Sequence, residues 1–155
     1  MTARRSAGLL LYRFVDGDLQ VLLAHMGGPF WARRDAGAWS IPKGEYADDE
    51  APLAAARREF TEELGVPVPD GEVVALGEVS QSGGKVVSAF ALHADLDPDA
   101  IEPGTFTMEW PKGSGREQAF PEVDRVAWFD PATAEDKLVT AQRAFLERLR
   151  AAVAG

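Results

Sequence analysis

The chain has no cysteine, which excludes disulfide bonding and thiol catalysis. It has two histidines, His25 and His93, and neither has a histidine partner at zinc-ligand spacing. Each sits on an apolar run, which marks it as structural rather than catalytic. No apolar stretch approaches the length of a membrane-spanning helix. The opening MTARRSAGLLLYRF has two arginines and a short apolar run, without a long hydrophobic region or a small-residue cleavage site. No signal peptide is expected, and a cytoplasmic protein is the default. Positive charge is scarce: 16 Lys and Arg stand against 25 Asp and Glu, a net charge of −9. That balance argues against duplex nucleic acid as a partner, which needs a basic footprint. It leaves room for a small polyanion, because a bound cation reverses the local sign.

What remains is ordinary globular material, 46% hydrophobic and 26% charged over 155 residues. One domain, 1–155, is expected. Ser6 to Val15 reads as a strand, Asp16-Gly17-Asp18 as a turn, and Leu19 to His25 as a second strand. Gly27-Gly28-Pro29 breaks it, and Phe30 to Ala38 reads as a loop. Trp39 to Ile41 is a short extended piece. Glu72 to Ser80 and Val86 to Asp95 suggest a hairpin around Gln81-Ser82-Gly83-Gly84. Phe106 to Trp110 and Arg125 to Phe129 read as later strands, with a Gly-rich loop at 111–116. From about Ala132 to Val153, Leu138, Ala141, Phe145 and Leu149 give one apolar helical face. Strands with a central and a C-terminal helix predict a sheet sandwiched between helices.

Residues 44–66, GEYADDEAPLAAARREFTEELGV, carry the most information. Asp48 or Asp49 is expected to cap a helix, with Pro52 in its first turn. The alanine run favours helix, and Gly65 and Pro67 end it. Leu53, Ala56, Phe60 and Leu64 recur at helical spacing and form a core stripe. Glu59, Glu62 and Glu63 stand at i, i+3 and i+4, sharing another face. Three crowded carboxylates repel one another, and a hard cation such as Mg²⁺ or Mn²⁺ turns that repulsion into attraction. Such an ion offsets diphosphate charge and lowers the pKa of a bound water.

The segment matches G-x5-E-x7-R-E-U-x-E-E-x-G-U, with U apolar, at every defined position: Gly44, Glu50, Arg58, Glu59, Phe60, Glu62, Glu63, Gly65 and Val66. The chain therefore resembles a Nudix hydrolase of the MutT-like family. The resemblance implies an α/β/α sandwich with a mixed sheet, and metal-dependent hydrolysis of a diphosphate linkage in a nucleoside diphosphate joined to another group. It implies Mg²⁺ or Mn²⁺ as cofactor. Metal ligands would come from Glu59, Glu62 and Glu63, joined by the main-chain carbonyl of Lys43. Arg58 would orient box carboxylates, with Glu50 and Glu62 as partners, rather than touch substrate.

The lead-in Trp39-Ser40-Ile41-Pro42-Lys43-Gly44 is similar to Nudix branches that act on dinucleoside polyphosphates, diphosphoinositol phosphates and RNA 5′ ends. Phe120-Pro121-Glu122-Val123-Asp124, with Trp128 shortly after, is similar to a segment of the RNA pyrophosphohydrolases. There the glutamate reaches the metal from a loop, so Glu122 is a candidate ligand and catalytic residue; Glu117 and Glu109 compete with it. Lys43, Arg33 and Lys85 are candidate phosphate-binding residues, and Trp39 a candidate base-stacking residue. Arg34, Lys112 and Arg116, and the aromatics Phe30, Trp31 and Trp110, are weaker candidates. Rival readings are a triphosphate-sanitising pyrophosphohydrolase and a non-catalytic nucleotide-binding Nudix module. Isopentenyl-diphosphate isomerase carries a related box, but typically needs the cysteine that is missing here.

Overall fold

The computed structural model describes residues 4–154. A long strand β1 (Arg4–Val15) turns at Asp16-Gly17 into β2 (Asp18–Met26). Two short strands follow, β3 (Trp39–Ser40) and β4 (Lys43–Glu45), and then helix α1 (Pro52–Leu64). The hairpin β5 (Val73–Gln81) and β6 (Lys85–His93) comes next. A second hairpin, β7 (Thr105–Glu109) and β8 (Glu117–Pro121), leads into β9 (Val123–Phe129), α2 (Pro131–Lys137) and α3 (Ala144–Ala154). The main sheet has seven strands ordered β3-β2-β1-β6-β5, with β4 on β1 and β9 on β2. It is mixed, because β1 and β6 run parallel and the other pairs antiparallel.

Alternation along the central strands divides the core in two. Leu9, Leu11, Leu22 and Ala24 face α1, packing with Ala56, Phe60 and Leu64. Leu10, Tyr12, Val21 and Leu23 face the other way, packing with Leu138, Phe145 and Leu149. Helices therefore cover both faces, which is the α/β/α sandwich.

Three local expectations are corrected. No aspartate caps α1: its N-cap is Ala51, with no side-chain bond. Pro52 forces Ala51 into an extended conformation and starts the helix there, past Asp48 and Asp49. The C-terminal segment is not one helix. Leu138 forms a parallel bridge to Trp39, and the Val139 N–H donates to the Trp39 carbonyl, so the helix breaks between α2 and a 3-10 turn at Thr140–Arg143. The strand β8 was not expected, because Glu117, Gln118 and Ala119 are all exposed and give no alternation signal.

Candidate active site

The end of α1 explains the spacing of the box. Gly65 ends the helix in the left-handed conformation at φ 69°, with its N–H donating to Thr61. At the other end of the box, β4 runs beside α1. A Cβ on Gly44 would collide with the Glu59 carboxylate. Only glycine lets β4 approach the helix closely enough to sit against that side chain.

Arg58 ties this corner together. Its Nε and Nη2 donate to the two Glu50 oxygens at 2.8 Å each, a bidentate pair. Nη1 donates to Glu59 at 2.8 Å and to Glu62 at 3.1 Å, and Nη2 to the Glu45 carbonyl at 3.4 Å. These carboxylates, Glu50 first, raise the guanidinium pKa still further, and the bond from Arg58 holds the Glu59 carboxylate beside Gly44.

Glu59 and Glu63 line a cavity of about 510 Å³. Lys43 and Gly44 from β4, Lys85 from β6 and Glu122 from the β8–β9 junction line it too. Trp31, Gln81, Ser82 and Gln142 complete much of the wall. Burial raises the Glu63 pKa to about 8; Glu122 and Glu59 add to the rise, while Lys43 opposes it. Burial likewise raises Glu59, with Arg58 opposing. Lys43 is pulled below the usual lysine value by burial, Glu63 working against the shift.

Glu62 departs from the expected ligand set. It does not line the cavity, and its side chain is 57% exposed against 15% for Glu59. At about 100° per residue, Glu63 lies some 40° from Glu59, whereas Glu62 falls about 60° to the other side, toward Arg58. Among the described residues, no three His, Cys, Asp or Glu side chains close on a common point as they stand. The donor chemistry nonetheless fits a hard cation. Glu59 and Glu63 are oxygen donors facing the same cavity as Glu122, and burial, with a smaller contribution from neighbouring carboxylates, raises the proton affinity of both.

Two residues expected to contact substrate lie off the cavity wall. Trp39 is 3% exposed, set edge-on to His25 and Phe129, with its N–H on Asp35. It is core, because β3 pairs with β2 and turns the ring into the sheet. Arg33 is exposed on the segment before β3 and does not line the cavity. The sequence reading missed Gln81, Ser82 and Gln142 as cavity residues. Gln142 is fully buried, accepts the Ile41 N–H at 2.9 Å and donates to Ser40 and Gln81 at 3.0 Å each. A glutamine beside Ala141 on an apolar helical face was the available signal.

An α/β/α sandwich whose cavity gathers three carboxylates and two lysines is suited to a cation-bridged phosphate group. A NUDIX domain model matches residues 2–149, and the chain belongs to the Nudix hydrolase family. Hydrolysis of pyrophosphate linkages is the chemistry of that family, whose members generally use a divalent metal such as Mg²⁺ or Mn²⁺. An RNA pyrophosphohydrolase of Francisella tularensis is 43% identical over 56 residues, covering 36% of each chain. That of Hahella chejuensis is 41% identical over 56 residues, 36% of this chain and 35% of the relative. The match thus spans about a third of these curated relatives. The C. elegans Ap4A hydrolase shares the fold at TM-score 0.66 and 20% identity, covering 98% of both chains. The NUDIX domain of Shewanella oneidensis NrtR, complexed with ADP ribose, does so at 0.65 and 17%, covering 99% of this chain and 90% of that one. No helix among the described residues is long and apolar enough to cross a membrane.

Proposed function

We propose that this chain hydrolyses the diphosphate linkage of a nucleoside diphosphate joined to another group, with dinucleoside polyphosphates and RNA 5′ ends as favoured substrates. The observation that carries this reading is the single cavity holding Glu59, Glu63 and Glu122 together with Lys43 and Lys85. The partial likeness to RNA pyrophosphohydrolases supports the substrate class.

Glu59, Glu63 and Glu122 would hold Mg²⁺ or Mn²⁺, with the Lys43 carbonyl as a further oxygen donor. The bound ion would offset phosphate charge and make water a better nucleophile. Lys43 and Lys85 meet phosphate oxygens as point charges. Trp31 and Met26 form an apolar part of the wall. Glu59, Glu63 and Glu122 are the candidate acceptors for the proton of the attacking water, which approaches in line with the leaving phosphate. Arg58 holds Glu59 in place, and Glu62 contributes by anchoring Arg58.

A panel of dinucleoside polyphosphates, nucleotide sugars, dinucleotide cofactors, nucleoside triphosphates and triphosphorylated RNA, assayed with Mg²⁺ or Mn²⁺ and product analysis, tests this. Fastest turnover is expected on dinucleoside polyphosphates or RNA ends. Preference for nucleoside triphosphates would favour the sanitising reading, and binding without turnover the non-catalytic one.

A further inference from the structure

Asp124 has no partner in the ladder between β2 and β9. His25 pairs with Arg125 and Met26 with Val123, which leaves one residue of β9 over. Burial records the same bulge. Val123 and Val126 both pack into the core beside α1 although they are three residues apart, where unbroken alternation would put them on opposite faces. Glu122 stands immediately before the bulge. Its N–H donates to the Gly104 carbonyl at 2.8 Å, and its carbonyl accepts from Gly27 at 3.0 Å. Gly27 permits that approach, since a Cβ there would strike the Pro121 carbonyl. The bulge therefore sets the direction in which the Glu122 side chain leaves the backbone.

His25 catches the extra residue. The ring is fully buried, with Nδ1 2.9 Å from both Asp124 oxygens and Nε2 2.7 Å from the Arg34 carbonyl. A carbonyl can only accept. Asp124 also faces the Arg125 guanidinium at 3.3 Å. The ring thus bridges two distant segments, with an oxygen within hydrogen-bond reach of each nitrogen. Around it stand Asp124 and, beyond that, Arg125; the edge of Trp39 packs 5.0 Å away.

We propose that His25 is a positioning residue for Glu122: bridging Asp124 and the Arg34 carbonyl, it clamps the Asp124 bulge to the loop at Arg34, and so aims Glu122 into the cavity. The inference rests on Glu122 being one of the working carboxylates in the function proposed above.

A double-mutant cycle tests it. His25→Asn and Asp124→Asn are each made with Glu122 intact and with Glu122→Gln, and kcat and KM are measured with Mg²⁺ on the best substrate of the panel. With Glu122 intact, each change is expected to lower kcat about tenfold or more, with KM within about threefold. In the Glu122→Gln background the further loss is expected to stay below about twofold, because the group being aimed has already lost its charge. Thermal unfolding checks that each variant is folded; if His25→Asn is not, Asp124→Asn carries the cycle, its carboxylate being partly exposed. Equal losses in the two backgrounds overturn the clamp while leaving the proposed hydrolysis standing. An undiminished kcat in Glu122→Gln overturns the role of Glu122 and the clamp with it.

Discussion

Gly44 and Glu59 share one space: the Glu59 carboxylate lies where a Cβ on residue 44 would be. Glu59 is therefore held between backbone on one side and Arg58 on the other, at 2.8 Å. Gly44→Ala must push the carboxylate out of the position that Arg58 prepares. A loss of about a hundredfold in kcat is expected, the scale on which misplaced active groups cost activity. Thermal unfolding should fall by only a few degrees, since the site is at the cavity and not in either core cluster. Near-normal turnover in Gly44→Ala would mean that Glu59 is free to work elsewhere.

Glu63 links catalysis to stability. Its folded pKa is about 8, against an ordinary value of 4.5. Below pH 4.5 the group is protonated in both folded and unfolded chains. Between 4.5 and 8 the unfolded chain releases its proton first and binds fewer, so stability falls as pH rises across that window. Metal-free protein in EDTA should show this fall in its denaturation midpoint, and Glu63→Gln should flatten it. Added Mg²⁺ should stabilise the unmodified protein more at pH 8 than at pH 5, because it binds the ionised form. Glu63→Gln should also lose at least about a hundredfold in turnover. A flat stability profile in the unmodified, metal-free protein would contradict the burial of Glu63.

Much of this was legible in the sequence, because the informative features were local. The box fixed the helix, its glycine stop and the residues gathered near it. The strand pattern of β1, β2, β5 and β6 follows from alternation and turn signals. Other features depended on pairings between distant segments. Nothing near Trp39 says that it bridges Leu138 and closes into the core. Nothing near Gln142 says that it reaches Gln81. Glu62 lies apart from Glu59 and Glu63 for a geometric reason: i+3 and i+4 look equivalent in sequence but differ in rotation, and Glu62 meets Arg58 on the other side.

Arg58 makes a bidentate pair with Glu50 while also holding Glu59 and Glu62. A lysine there keeps the charge but not the fork, so it cannot hold all three carboxylates in one geometry. Arg58→Lys should weaken Mg²⁺ activation by about tenfold to a hundredfold, as other groups that orient metal ligands do. The check is kcat against Mg²⁺ concentration. An unchanged Mg²⁺ dependence would show that Arg58 supports the fold alone.

Three glutamates competed for the role outside the box, and the structure separates them. Glu122 lines the cavity with Glu59 and Glu63. Glu109 accepts the Gly113 N–H at 2.6 Å and is spent on its own turn. Glu117 pairs with Glu109 across the β7–β8 hairpin and is exposed. Glu122→Gln should therefore lower kcat by about tenfold to a hundredfold, with a smaller effect on KM, if its charge acts mainly in the transition state. Glu117→Gln should stay within about twofold of the unmodified enzyme in both constants, as surface changes away from a site do. Steady-state kinetics at saturating Mg²⁺ decides between them. If Glu117→Gln is the more damaging change, the hairpin must fold over the cavity during turnover, and Glu122 is the wrong carboxylate.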